Sequence, residues 1–323
     1  MILVLSKRLR RRLRQIDDGP VAAPPPEEAR RPGRVPVRAP EPPPVRAGDP
    51  ALSRERLGRE VRRRAPQGNP EPPPSVSQVS GPLEELVPGE AVECAEGCYW
   101  CARLAAREML ANAADTLARF GGLTALIGSE ASEPLDALCG LPPTQLVLLD
   151  LETGGLSSAP IFLVGLIVWE CDEPSEALCV QLFARDYAEE RAILAATAEL
   201  LRARSALMTF NGRAFDLPLL RERMIYHGLG ACPEPSAHLD LLLAARSRFR
   251  GRWEDCRLQT LERHLCGRAR VGDIPGAEIP EAWHRFVHSG DAGRMMAVME
   301  HNRLDLITML EVLPHLQTSS EDA

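Results

Sequence analysis

The chain has 323 residues, enough for roughly two or three domains, and it is 45% hydrophobic and 26% charged. This composition excludes disorder throughout, and the 4% of aromatic residues exclude a surface built from many base-stacking rings. The formal net charge of -7 is unevenly distributed, since residues 1–80 carry 17 basic and 9 acidic residues and residues 81–323 carry 21 and 36. The sequence therefore predicts a basic arm joined to an acidic globular body.

The predicted arm covers residues 1–80 and holds 16 of the 29 prolines. Proline lacks a backbone N–H and fixes φ, so its clusters between Pro20 and Pro74 are incompatible with helix or sheet. We predict a disordered linker, which could also act as a nucleic-acid tether through its basic residues. The nine cysteines form no disulfide pattern, and no apolar run reaches the length of a membrane span. The chain is therefore predicted to be cytoplasmic, with no membrane partner.

The next region, 81–144, is predicted to be mainly helical and to lead into the main domain. A longer helix is expected at 102–120, where two glycines end it. Within this region Cys94, Cys98 and Cys101 have the spacing of a radical-SAM iron–sulfur motif. Buried or incidental free thiols are the alternative explanation, and it is favoured because no series of eight βα units follows.

The main domain is predicted over 145–316, followed by a disordered tail at 317–323. Apolar runs predict strands at 145–151, 161–169, 178–184 and 206–210, and helical spacing predicts helices at 189–203, 215–226, 239–249, 257–265 and 291–313. The order of three strands, a helix, a strand and further helices differs from the strict alternation of a doubly wound dinucleotide fold. It predicts a mixed α/β sheet with crossovers.

Two carboxylates, Asp150 and Glu152, end the first of these strands. Side chains alternate along a strand, so both point to the same face. Two like charges at the end of an apolar strand are costly unless a cation joins them, and oxygen-only ligation suits Mg²⁺ or Mn²⁺. Thr153 and Gly154 follow, and the glycines here allow a tight turn with room for a ligand. A strand end that is acidic by coincidence remains the alternative for this segment alone.

Further polar clusters follow the fourth strand and lie on the last helix. Asp216 begins the helix after Asn211 and, taken alone, is explained as a helix cap. His301 and Asp305 are four residues apart and therefore share a helix face. A single histidine in a helix is more often a surface or core residue, and Asp240 is a further acidic residue whose role the sequence leaves open.

Together these segments resemble the three-motif pattern of the DEDD 3′–5′ exonucleases, and within it the YprB-type ribonuclease H-like proteins. The resemblance covers about 145–316. It rests on Asp150-Leu151-Glu152-Thr153-Gly154-Gly155-Leu156, on Asn211 to Pro218, on His238-Leu239-Asp240-Leu241-Leu242, on Asp273-Ile274-Pro275-Gly276 and on His301-Asn302-x-x-Asp305.

The resemblance implies a ribonuclease H-like mixed five-stranded sheet flanked by helices. It also implies a metal-dependent 3′–5′ exonuclease that acts on the single-stranded 3′ end of DNA or RNA. The expected metal ligands, which would hold two Mg²⁺ or Mn²⁺ ions, are Asp150, Glu152, Asp216 and Asp305. The expected substrate contacts are Thr153, Gly154, Asn211 and Phe215.

The resemblance also implies that His301 orients or deprotonates the attacking water. The two best-known patterns have a tyrosine four residues before the final aspartate or a histidine five residues before it. This chain has His301 four residues before Asp305 and Glu300 five before it. The general base is therefore left open, whereas the expected metal ligands are not affected.

A second hypothesis is a non-catalytic nucleic-acid-binding or scaffold protein that keeps the fold. The presence of all four candidate ligands favours the enzyme, because a carboxylate without its metal is a liability that a decayed site would lose. Such a centre reads phosphates more than bases, so DNA and RNA are both open as substrates. An attractive groove on the acidic body is expected from Arg213, Arg246, Arg248, Arg250 and Arg252.

Overall fold

The structure, a computed structural model, describes residues 79–110, 116–117, 141–155 and 158–316. Apart from Val79 and Ser80, the predicted arm lies outside the described residues, and so does the predicted tail at 317–323. None of the helices in these described ranges is long and apolar enough to cross a membrane.

In the described part of the chain the strands form one sheet of seven, in the order β1-β2-β5-β4-β3-β6-β7. Their bounds are Glu90–Cys94 (β1), Gly97–Ala105 (β2), Leu146–Thr153 (β3), Ile161–Trp169 (β4), Ala177–Phe183 (β5), Ala206–Thr209 (β6) and Ala237–Asp240 (β7). In this order, neighbouring strands pair antiparallel from β1 through β2, β5 and β4 to β3. The pairs β3 with β6 and β6 with β7 are parallel. The predicted mixed sheet is confirmed, with seven strands in place of the predicted five.

The additional strands come from two segments predicted to be helical. β1 and β2 form a hairpin in the region 81–144, and β2 also pairs with β5. The predicted helix at 102–120 therefore differs from the structure in its first residues, where β2 runs to Ala105 and a 3₁₀ turn covers Ala106–Glu108. β2 is stabilised by a partner distant in sequence, and local spacing does not show such a partner. β7 replaces the start of the predicted helix at 239–249.

The hairpin also bears on the candidate iron–sulfur motif. Cys94 pairs with Gly97, and Cys101 lies four residues farther along β2, so these two cysteines share a face of the hairpin. Cys98 lies on the opposite face, where its Sγ accepts a hydrogen bond from Arg185 Nη2 at 3.2 Å. The three thiols therefore cannot converge on one cluster, and the free-thiol explanation fits the structure.

The sheet is flanked by helices on both faces. Their bounds are Leu83–Leu86 (α1), Glu190–Arg202 (α2), Asp216–Tyr226 (α3), Leu241–Phe249 (α4), Leu258–Leu261 (α5), Ile279–Ser289 (α6) and Gly293–Val312 (α7). A π-helical turn, Glu262–Cys266, continues α5. β4 is buried along its whole length because both of its faces are covered.

Alternate residues of β3 enter two different hydrophobic clusters. Leu146 and Leu148 pack with the C-terminal half of α7, whereas Val147 and Leu149 pack in the cluster that contains α2 and α6. Asp150 and Glu152 lie on the same face of β3 as Leu146 and Leu148, because side chains alternate along a strand. The fold therefore directs both carboxylates towards the face that the C-terminal half of α7 covers.

Candidate active site

Four carboxylates gather where the C-terminal part of β3 meets α7. Burial raises the pKa of Asp150 well above its usual range, and the charges of Asp305, Glu152 and Asp216 raise it further. Burial likewise raises the pKa of Glu152, with added contributions from Asp305 and Asp216. The four residues that the sequence predicted as metal ligands are therefore close enough to affect one another through their charges.

Asp150 is held by a chain of buried amides. Its Oδ2 accepts a hydrogen bond of 2.8 Å from Asn302 Nδ2, and Asn302 Oδ1 accepts one of 2.8 Å from Gln181 Nε2. Gln181 Nε2 also donates to the carbonyl of Met299 at 2.8 Å. Gly165 pairs with Asp150 across β3 and β4, and a Cβ at this position would overlap Oδ1 of Asn302. A glycine is therefore required for α7 to approach β4 and fix the Asp150 carboxylate.

Asp216 is the first residue of α3 and is 5% exposed. Burial raises its pKa to about 7, although the backbone N–H groups of Asp216 and Leu151 donate to the carboxylate and lower it. The residue at the N-cap position is Phe215, so Asp216 is not the cap itself. The charges of Asp240 and then Asp305 raise its pKa further, so its carboxylate lies near both.

Asp240 fastens the loop that leads to Asp216. Its Oδ1 accepts hydrogen bonds from the backbone N–H of Asn211 at 2.8 Å and of Leu242 at 3.1 Å, and its Oδ2 accepts one from the N–H of Arg213 at 3.1 Å. The carboxylate thus caps α4 and holds the turn after β6. The role that the sequence left open is one of positioning the loop.

Asp305 belongs to a second network that the sequence analysis missed. Arg270 is 5% exposed at its side chain, and its Nη2 lies 2.6 Å from Asp305 Oδ1. Its Nε lies 2.6 Å from Glu262 Oε2, and its Nη1 lies 3.3 Å from Asp273 Oδ2. Burial raises the pKa of Asp305, and the Arg270 guanidinium opposes that rise. One oxygen of Asp305 therefore already has a cationic partner from the protein.

His301 lies between Asp273 and Asp305. Its Nδ1 is 2.8 Å from Asp273 Oδ1, and its Nε2 is 3.7 Å from Asp305 Oδ2. Because a carboxylate only accepts hydrogen bonds when ionised, the contact with Asp273 places the proton of neutral His301 on Nδ1. Nε2 is then the nitrogen that can accept a proton on the side of the carboxylate cluster.

Thr153 and Gly154, two of the expected substrate contacts, have structural partners in the turn after β3. Thr153 Oγ1 donates to the carbonyl of Gly155 at 2.8 Å. The Gly154 carbonyl accepts a hydrogen bond of 2.7 Å from His284 Nε2, and a Cβ on Gly154 would lie 3.0 Å from Trp283. Packing against Trp283 therefore explains the glycine without a ligand.

The other two expected contacts, Asn211 and Phe215, flank the loop before α3. Asn211 has a φ of 68°, a left-handed conformation that asparagine tolerates better than most residues. Phe215 is 51% exposed beside the buried Asp216. An exposed ring next to a carboxylate cluster is suited to stacking on a base, so Phe215 remains a candidate substrate contact.

The donor set fits hard divalent cations by its chemistry. All four groups are carboxylates, and the side chain of Glu152 has no hydrogen-bond or ion-pair partner among the described residues. In the described part of the chain, no three or more His, Cys, Asp or Glu side chains are positioned to hold one metal ion, so the carboxylates interact through their charges without forming a finished ligand set. A cation would relieve the mutual repulsion that raises the pKa values of Asp150 and Glu152.

The residues that sequence reasoning missed are mostly supports of the predicted ligands. Gln181 is a polar residue within the apolar run of β5. This break in the apolar pattern is a sequence signal for a buried polar contact, and in the structure the residue is only 1% exposed. Asn302 and Asp273 lie within segments that carried the resemblance, but no role was assigned to them. Nothing in the spacing of Arg270 links it to Asp305, 35 positions later.

Comparison with known proteins identifies a family and two similar proteins, each of which matches over only part of its length. The model of the RNase_H_2 family, in the RNase_H superfamily, matches residues 147–317. The uncharacterized protein YprB of Bacillus subtilis is 30% identical over 114 residues, which is 35% of this chain and 27% of YprB. The family B DNA polymerase of Pyrobaculum calidifontis is similar at a TM-score of 0.43 and 16% identity, over 54% of this chain and 25% of the polymerase. The matched part thus spans about a quarter of each relative's length.

Proposed function

The chain belongs to the RNase_H_2 family of the RNase H superfamily, and from that premise we propose that it is a metal-dependent nuclease. We infer further that it removes nucleotides from the 3′ end of single-stranded nucleic acid. The observation that carries this proposal is the largely buried cluster of Asp150, Glu152, Asp216 and Asp305, in which the charges of the other members raise the pKa values of Asp150 and Glu152. Such a cluster is unfavourable unless cations complete it.

The carboxylates of these four residues would hold two divalent ions, Mg²⁺ or Mn²⁺. When bound, such ions lower the pKa of a water molecule and stabilise the charge on the leaving oxygen. Asn302 fixes the orientation of Asp150 through its hydrogen bond, and the backbone N–H of Leu151 lowers the pKa of Asp216 and so favours its ionised form. The Asp150 carboxylate is thus held in place before substrate binds, which lowers the cost of organising the site.

His301 is the proposed acceptor of the proton that the attacking water loses. The proton would move to Nε2, while Asp273 holds the N–H at Nδ1 and keeps the ring oriented. Arg270 contacts both Asp273, the partner of His301, and Asp305. It therefore fixes the distance between these two carboxylates.

One observation favours the alternative, a protein that binds nucleic acid without cleaving it. The Arg270 guanidinium pairs with Asp305 Oδ1, so part of the negative charge of the cluster is neutralised by the protein itself. A site completed in this way could hold its shape without metal.

The two functions are distinguished by a nuclease assay on the full chain. Single-stranded DNA and RNA labelled at the 5′ end are incubated with Mn²⁺, with Mg²⁺ or with EDTA. We expect a metal-dependent ladder of shortening products, and the same strand labelled at the 3′ end should release a labelled mononucleotide first. Asp150→Asn should nearly abolish this reaction, because it removes a metal ligand.

The matched control is Glu199→Gln, which changes an exposed carboxylate on α2 that pairs with Arg202. It should retain the activity of the parent protein. No cleavage of either strand, together with no thermal stabilisation by Mn²⁺ or Mg²⁺, would contradict the nuclease proposal, and binding of either uncleaved strand would then support the non-catalytic alternative.

A further inference from the structure

A row of exposed arginines follows α4 away from the carboxylate cluster. Arg246, Arg250 and Arg252 are exposed, and among the residues that the structure describes none of them has a carboxylate partner. Several other exposed arginines in the described residues are paired with a carboxylate, as Arg285 is with Glu281 at 2.9 Å and Arg221 with Glu234 at 2.6 Å. The body has an excess of acidic residues, so a group of neighbouring arginines without carboxylate partners differs from the rest of its surface.

The position of α4 links this row to the candidate active site. The helix begins at Asp240, whose carboxylate also holds the loop that leads to Asp216. At about 1.5 Å per residue, Arg246 and Arg250 lie roughly 9 and 15 Å along the chain axis from Asp240. These two arginines are four residues apart, share a face and line one shallow depression with Leu243 and Ser247.

The structure reduces the number of arginines that fit the attractive groove predicted from the sequence. Arg213 lies outside this row because it precedes α3 and its Nη2 already donates to the carbonyl of His238 at 2.7 Å. Arg248 also has an interaction partner, and it is less exposed than its neighbours. Arg252 contacts the ring of Trp253, with its Cζ 5.5 Å from the ring centroid, which leaves its N–H groups available.

We propose that Arg246, Arg250 and Arg252 form a phosphate-binding surface for the sugar–phosphate backbone of a nucleic-acid strand whose end lies at the carboxylate cluster. The proposal rests on the proposed function for the identity of the strand. Guanidinium groups bind phosphate through two parallel hydrogen bonds, and contacts to the backbone are independent of base sequence. The surface would therefore supply the attraction that the acidic body lacks.

The test is a binding measurement on the full chain in EDTA, so that no cleavage occurs. Fluorescence anisotropy with a labelled single-stranded DNA of about 12 nucleotides compares the parent with Arg246→Ala/Arg250→Ala over a range of salt concentrations. We expect Kd to rise about tenfold, and the slope of log K against log salt to become shallower by about 1.4, or about 0.7 for each lost phosphate contact.

The matched control is Arg285→Ala/Arg294→Ala, which removes an exposed arginine paired with Glu281 and a partly exposed one paired with Glu278. It should bind like the parent. Unchanged Kd and slope in Arg246→Ala/Arg250→Ala, or an equal loss in the control, overturns the proposed surface. Equal thermal unfolding midpoints of the three proteins exclude misfolding as the cause.

A second substrate separates the failure of this surface from the failure of the nuclease proposal. Bis(p-nitrophenyl) phosphate is a phosphodiester too small to reach along α4, so its Mn²⁺-dependent hydrolysis by the parent reports on the carboxylate cluster alone. Hydrolysis by the parent with unchanged strand binding in the variant contradicts only the surface. The opposite result is also informative. If the parent hydrolyses neither bis(p-nitrophenyl) phosphate nor the strand, and the arginine variant binds the strand more weakly than the parent does, only the nuclease proposal is contradicted.

Discussion

At the scale of single residues, His301 has the geometry of a proton acceptor with its own orienting carboxylate. We predict that His301→Ala lowers the hydrolysis rate by about 10²–10⁴-fold and changes its pH profile, because Nε2 no longer accepts a proton. Metal affinity should stay near that of the parent, since Asp305 is retained. The measurements are the turnover of a labelled strand from pH 5 to 9 and a Mn²⁺ titration.

Asp273→Asn completes this experiment, because it removes the charge that holds the His301 N–H and keeps a side chain of the same shape. It should lower turnover less than His301→Ala does, and the double variant should lose little more than the single histidine variant. A His301→Ala protein with unaltered turnover and pH profile would show that the imidazole only packs against Asp273. The water would then be activated by the metals alone.

Asp216 connects the site to the stability of the whole fold. Its pKa of about 7 lies above the usual value of about 4, so the folded protein holds a proton that the unfolded chain releases. The stability that this proton contributes is fully present below about pH 4 and is lost as the pH rises through about 7. In EDTA, we therefore predict that the free energy of unfolding falls over this range.

Asp216→Asn should reduce that fall and stabilise the metal-free protein at pH 8 by on the order of 1–3 kcal/mol, while it abolishes hydrolysis. Urea unfolding of both proteins at several pH values measures the difference. Mn²⁺ at pH 8 should stabilise the parent more than the variant. Parallel stability curves for the two proteins would contradict the raised pKa.

At the scale of elements, the contact between β4 and α7 is set by Gly165. A Cβ there would overlap the Asn302 amide, so Gly165→Ala must separate the two elements or break the hydrogen bond from Asn302 to Asp150. We expect a loss of about 1–3 kcal/mol in unfolding free energy, as for other overpacked cores, and a large loss of activity. Gly276→Ala, where a Cβ meets nothing within 4 Å, is the control in thermal unfolding and nuclease assays.

The elements also show which parts of the fold and site a sequence can specify. β4 was predicted at its observed bounds, and α2 and α7 within two residues, because long apolar runs and helical periodicity are local signals. The hairpin of β1 and β2 was not predicted, since β2 is defined by its pairing with β5. The gathered carboxylates were predicted from their motifs, whereas Arg270 depends on a contact that spans 35 positions.

At the scale of the whole molecule, the chain joins a basic proline-rich segment to an acidic body, which under the proposed function must attract a polyanion. The first described residues already belong to the body. The Gly81 N–H donates to Asp291 Oδ1 at 3.0 Å, its carbonyl accepts from the N–H of Ala292 at 2.8 Å, and Leu83 is 2% exposed. These contacts tie the residues around Gly81 to the start of α7. The boundary between arm and body is therefore expected just before them.

Deletion of residues 1–78 tests this boundary. We predict an unchanged thermal unfolding midpoint and retained Mn²⁺-dependent hydrolysis of bis(p-nitrophenyl) phosphate, because the deletion leaves the contacts of Gly81 and Leu83 intact. Binding of single-stranded DNA should weaken at low salt, since the removed segment carries 17 basic residues against 9 acidic ones. A deletion that extends through residue 89 removes the buried Leu83 and should lower the midpoint. If the shorter deletion alone abolishes folding, the arm contains part of the core, and the prediction of a linker is wrong.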